Sequence, residues 1–149
     1  MDEYIYSQSV HKDFHGIMNY LIKYLRENHG EKHLESFFKE ASAYIYKPLI
    51  ERVKKNGLIE IKKHLERTFS MEDGKFDLDY EENKLVFNVK KCPAIWHMKD
   101  KKLEIDKEFC KISTEIVSAV VAKECGYYFS VEYDQENGKC IQKFWKEEK

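Results

Sequence analysis

Two short stretches hold the side chains best suited to chemistry. In Val10-His11-Lys12-Asp13-Phe14-His15-Gly16 two imidazoles stand four residues apart, a spacing that places both on one face of a helix. In Lys90-Lys91-Cys92-Pro93-Ala94-Ile95-Trp96-His97-Met98 a thiol and a third imidazole stand five residues apart, just past a predicted strand. Three imidazoles and one thiol serve three kinds of chemistry. They form a mixed nitrogen and sulfur ligand set suited to zinc. They form a Cys/His pair, in which His97, His15 or Lys91 would lower the pKa of the Cys92 thiol. Or they anchor a small molecule in a pocket. A helical zinc peptidase motif needs Glu beside its first His, and Lys12 stands there instead. Asp13 reads as a first-turn carboxylate favoured by the helix dipole, and Cys92 also reads as core filler beneath Trp96.

The elements that would position these groups follow from hydrophobic periodicity. Val10, Phe14, Ile17, Met18, Leu21 and Leu25 recur at steps of three and four up to Asn28-His29-Gly30, which predicts a first helix. Leu34, Phe37, Phe38, Ala41 and Ile45 predict a second, interrupted at Lys47-Pro48 because the residue before proline leaves the helical region. Helix resumes through Leu49, Ile50 and Val53 to Asn56-Gly57, and Leu58, Ile61, Leu65 and Phe69 give another short one. At Gly74 the period changes to two. Phe76, Leu78 and Tyr80 alternate with Asp77 and Asp79, then, across a Glu81-Glu82-Asn83 turn, Leu85, Phe87 and Val89 alternate with Val86, Asn88 and Lys90. Asp106 caps a long helix carrying Phe109, Ile112, Ile116 and Val120, which stops at Cys125-Gly126. A second hairpin follows, from Tyr127 to Trp145. The expectation is one α+β domain over residues 1–149. N-terminal helices pack on an antiparallel sheet of two hairpins, with one long helix between them.

Composition narrows the function classes. The 26 basic and 27 acidic residues leave a net charge of -1 with no basic half, so nucleic acid has no electrostatic footprint. The longest apolar run, near Ile116 to Ala122, is far below a membrane span, and a membrane partner is not expected. The opening Met1-Asp2-Glu3-Tyr4 lacks a basic start and an apolar core, so a cytoplasmic location is expected. Cys92, Cys110, Cys125 and Cys140 form no Cys-x-x-Cys pair and are expected as free thiols, with Cys125 and Cys140 as small hydrophobes. His29, His33 and His64 read as surface residues. Tyr24, Tyr44 and Tyr46 could line a pocket.

With its His-x-x-x-His opening, Cys92-Pro93 at a strand end, Phe109-Cys110 at a helix start and Gly138-Lys139-Cys140 before Phe144, the chain resembles the L-2-amino-thiazoline-4-carboxylic acid hydrolase-like family. More distantly it resembles 4-vinyl reductase and vesicle-tethering-subunit domains, in which a helical layer on an antiparallel sheet encloses an apolar pocket. The first resemblance implies a hydrolase that opens a small cyclic amidine or amide-type carbon–nitrogen substrate; the second implies a non-catalytic binding or sensor domain. On the matching positions His11, His15, Cys92 and His97 carry the chemistry. Lys47, Lys91 and Tyr46 are expected to hold the substrate, the lysines through its carboxylate. Zinc remains one reading of the cofactor. The expected partner is a small-molecule substrate or ligand, and a homodimer is one assembly left open. Replacing His15 with Ala is expected to leave stability within about 1 kcal/mol, the scale of a pocket or surface change.

Overall fold

In the computed structural model residues 11–147 are described. Val10 and the N-terminal stretch read for a targeting signal lie outside them. Among the described residues four helices come first: α1 (Phe14–His29), α2 (Glu31–Ile45), α3 (Lys47–Asn56) and α4 (Ile59–Met71). The hairpin β1 (Lys75–Glu81) and β2 (Lys84–Lys91) follows, then a short helix α5 (Pro93–Asp100). A π-helical turn at Lys111–Ile116 runs into α6 (Val117–Cys125), and the chain closes with the hairpin β3 (Tyr128–Asp134) and β4 (Lys139–Trp145).

The four strands make one antiparallel sheet in the order β1-β2-β4-β3. The two hairpins are joined by β2 and β4, whose register sets Leu85 opposite Phe144, Phe87 opposite Gln142 and Val89 opposite Cys140. Period-2 alternation therefore turns Leu85, Phe87, Val89, Gln142 and Phe144 to the helices, and all five are buried. Phe87 is fully buried, a change worth roughly 1.5–3 kcal/mol relative to exposure. The protein is therefore α+β with both hairpins in one sheet.

The helical layer differs from the periodicity reading in three ways. First, α1 begins at Phe14, and its buried residues are Asn19, Ile22 and Leu25, while Phe14 and Ile17 are exposed. Asn19 is turned inward because its carboxamide clips the loop after α5 to the helix. Its Nδ2 donates to the Glu104 carbonyl at 2.9 Å, and its Oδ1 accepts from the Asp106 N–H at 2.8 Å. In α2, likewise, Phe37 and Ile45 are exposed and Ser42 is buried.

Second, α5 stands between the hairpin and the long helix, where none is expected. Pro93 sits at its first position, where a proline's missing N–H costs nothing. Third, the long helix opens with a π turn. That turn inserts one residue into the helical count, so the inward face runs Ile112, Ile116, Val121, Ala122 and Cys125, and Val120 is displaced from it. The helix stops as the sequence reading has it, on Gly126 in the left-handed region, with the Tyr127 N–H donating to the Ala122 carbonyl at 2.8 Å.

The buried side chains gather in two clusters. One holds Ile22, Leu25, Leu34, Phe38, Met98 and Ile112 among others; the second includes Leu49, Val53, Leu58, Leu85, Val121 and Phe144. The helical run from Lys111 to Cys125 feeds both, Ile116 to the first and Val121 to the second. The Asp106 carboxylate ties the loop before it to α1 through a two-pronged contact with the Arg26 guanidinium, at 2.5 and 2.8 Å.

Candidate functional site

A partly enclosed cavity of about 280 Å³ lies between the helices and the inner face of the sheet, drawing its walls from both core clusters. Its walls are mostly apolar, with Met18 from α1, Leu49 from α3, Ile61 and Phe69 from α4 and Phe144 from β4. The π turn and the start of α6 add a hydroxyl-bearing wall of Ser113, Thr114 and Ser118. π turns recur at functional sites because the inserted residue re-aims side chains. Here it brings Ser113 and Thr114 to the cavity while Ile112 and Ile116 stay in the core.

Among the described residues one imidazole–carboxylate pair borders the cavity. His15 Nε2 and Glu72 Oε1 are 2.5 Å apart, with side chains 12% and 7% exposed. His15 comes from the first turn of α1. Glu72 follows the last residue of α4, where the Gly74 N–H reaches back to the Phe69 carbonyl at 2.8 Å and tightens the turn. An acidic residue next to Asp73-Gly74 reads from sequence as a solvated turn residue; nothing in its spacing announced a buried carboxylate.

The remaining candidates divide. Cys92 and Tyr46 stand in the cavity wall. His11 does not: the helix begins three residues after it, so the four-residue spacing never becomes a shared face, and its side chain is 78% exposed. His97 lies beside the cavity, its ring centroid 6.3 Å from that of His15. Asp13 makes no capping hydrogen bond with its side chain; its two oxygens approach His11 Nδ1 at 3.4 Å and His97 Nε2 at 3.5 Å. Lys47 is exposed on α3, and Lys91 is exposed with its ammonium 5.3 Å from the centre of the Trp96 ring; neither reaches the cavity. Tyr24 and Tyr44 are exposed. His64 is not the surface residue expected, because it borders the cavity edge-on to Tyr46, with ring centroids 5.9 Å apart. Burial lowers its pKa, and Arg52 and Arg67 push the same way.

Cys92 is held by its backbone. Its N–H donates to the Gly138 carbonyl at 2.8 Å, and Gly138 has φ +63° with Trp96 packed where a Cβ would stand. The thiol is unsuited to nucleophilic attack. Burial pushes its pKa up and the Glu72 carboxylate adds to this, against N–H groups of Ile95 and Ala94 that favour the thiolate. Burial likewise pushes Cys110 to about 12 and Cys140 to about 11. All four cysteines are free. His11, His15, Cys92 and His97 do not converge as ligands, and among the described residues no three His, Cys, Asp or Glu side chains are arranged to hold a metal ion. Among the described residues no helix is long and apolar enough to cross a membrane.

Gln142 is a further wall residue that no motif announces. It is 3% exposed, lies on the inner face of β4 and borders the cavity. Its signal was a carboxamide at an inward position of the alternation, between Cys140 and Phe144. No protein-family model matches the chain, and no curated protein matches it.

Proposed function

We propose that the chain binds a small, largely apolar molecule in the cavity between its helices and its sheet. The observation that carries this reading is the cavity itself: its mostly apolar wall surrounds a few polar side chains, the usual make-up of a ligand site. Its volume of about 280 Å³ sits at the lower edge of the range for such sites, which favours a compact ligand. Titrating propylbenzene into isotope-labelled protein tests it. Saturable chemical-shift changes confined to cavity residues such as Met18, Thr114 and Phe144 are expected; their absence would overturn the reading.

A second reading, hydrolysis of a small cyclic amidine or amide-type substrate, is supported by the His15–Glu72 pair. A carboxylate that fixes one ring nitrogen of an imidazole leaves the other to take a proton from water, the arrangement of a general base. Cys92 has no part in this version, because its thiol is kept protonated. Ring opening of 2-amino-2-thiazoline, followed by chromatography, is the assay. His15→Ala should reduce turnover by about 10²–10⁴ if the pair acts on water. An unchanged rate would remove the hydrolytic reading and leave the binding reading intact.

A further inference from the structure

We infer that the cavity selects an uncharged molecule with an amide-type edge, and that Gln142 reads this edge. The inference rests on the binding reading above and adds the chemical class of the ligand.

Gln142 lies at the centre of the sheet, with Phe87 opposite on one side and Val131 on the other. A carboxamide can make four hydrogen bonds, two through its oxygen and two through its NH₂ group. Here it makes two, one long and one to a weak acceptor. Ser118 Oγ donates to Oε1 at 3.5 Å, and Nε2 donates to Cys140 Sγ, a weak acceptor, at 3.6 Å. One lone pair and one N–H remain on a side chain that borders the cavity. Leaving such capacity unmet in a buried place is unfavourable, so a ligand that meets it is favoured over one that does not. The complement of one acceptor and one donor is a group that carries both a donor and an acceptor, a carbonyl next to an N–H, as in a primary carboxamide or a lactam.

The charge of the ligand follows from the rest of the wall. Among the described residues no lysine or arginine stands in the wall, and the one carboxylate there, Glu72, disfavours anions. His15 is engaged by Glu72, and burial, with Arg52 and Arg67, lowers the His64 pKa and so disfavours a cation there. A carboxylate entering this cavity would lose its water without gaining a cation, a large penalty. The expectation that lysines hold a substrate carboxylate is thus replaced: Lys47 and Lys91 stand outside the cavity, and what faces the ligand is a neutral amide.

Matched probes test this. Dissociation constants for 3-phenylpropanamide, 3-phenylpropanoate, propylbenzene and N,N-dimethyl-3-phenylpropanamide are measured by chemical-shift titration at pH 7.5. The primary amide should bind at least tenfold more tightly than the other three, since the dimethyl compound lacks the N–H. In Gln142→Leu the primary amide should fall to the affinity of propylbenzene, with propylbenzene itself retained. Equal or tighter binding of the carboxylate, no loss on dimethylation, or an unchanged amide preference in Gln142→Leu would each overturn the inference. If the variant does not fold, the four probes on the wild-type chain decide alone. Binding of propylbenzene without amide preference sinks this inference only. Failure of all four to bind sinks it together with the binding reading.

Discussion

At the scale of single residues, the pairing of His15 with Glu72 carries the sharpest consequence. Glu72 is 6% exposed, and His15 is the one hydrogen-bond partner of its side chain among the described residues. His15→Ala would therefore strand a buried carboxyl group, at a cost of about 1–3 kcal/mol or more. That exceeds the figure of about 1 kcal/mol expected when His15 is read as a pocket residue with nothing behind it. Glu72→Gln keeps an acceptor for the imidazole and should cost less than His15→Ala. Urea unfolding of both variants at pH 7 measures the order; equal costs would mean that the pair is not held in this way. The contrast shows where residue-level reading stops. An imidazole at a helix start can be found from sequence, because the helix announces itself. Its partner comes from a turn fifty-seven positions away and has no periodic signal, and Gln142 shows only as a polar residue on an apolar face. His11 was misplaced for a local reason, since the spacing rule applies only inside a helix and the helix starts after it.

At the scale of elements, strands and helix stops were legible wherever a local rule was strong. Alternation gave both hairpins, and Asn56-Gly57 and Cys125-Gly126 ended their helices. The π turn was not legible, because a one-residue insertion looks like ordinary drift in a 3.6-residue stripe. It makes a direct prediction. Deleting Thr114 should restore an α-helical count, keep Ile112 and Val121 on one face and leave the protein folded by circular dichroism. The same deletion should abolish propylbenzene binding, because the wall of Ser113 and Thr114 is rebuilt. Retained binding would show that the turn does not shape the cavity.

The loop before this turn contributes a pH dependence. Burial alone would raise the Asp106 carboxyl, but the Arg26 hydrogen bonds, the Glu108 N–H and the charge of Arg26 together hold its pKa below the usual carboxylate range. A lowered folded pKa stabilises the protein above the unfolded value of about 3.9, and that contribution is lost as pH falls through the folded value. Asp106→Asn should thus be less stable than the wild type at pH 7, and the gap should shrink below about pH 4. A gap that stays constant with pH would remove the carboxylate from the explanation.

At the scale of the whole molecule, the α+β class with both hairpins in one sheet was legible because each hairpin has a single apolar face that is marginal alone. The order β1-β2-β4-β3 was not, since β2 meets β4 across about fifty residues of intervening chain and no local rule selects that neighbour. Nor was the division of the core into two clusters with the cavity drawing on both, which depends on how the helices lie on the sheet. That division bears on a variable that heat and denaturant do not probe, the volume of the folded state. The part of this cavity that water leaves empty between its apolar walls makes the folded state occupy more space than the unfolded chain and its water. Hydrostatic pressure should therefore favour unfolding, with a negative volume change. High-pressure NMR would show signals of cavity residues such as Met18 and Thr114 fading first. A molecule filling the cavity should shift that transition to higher pressure.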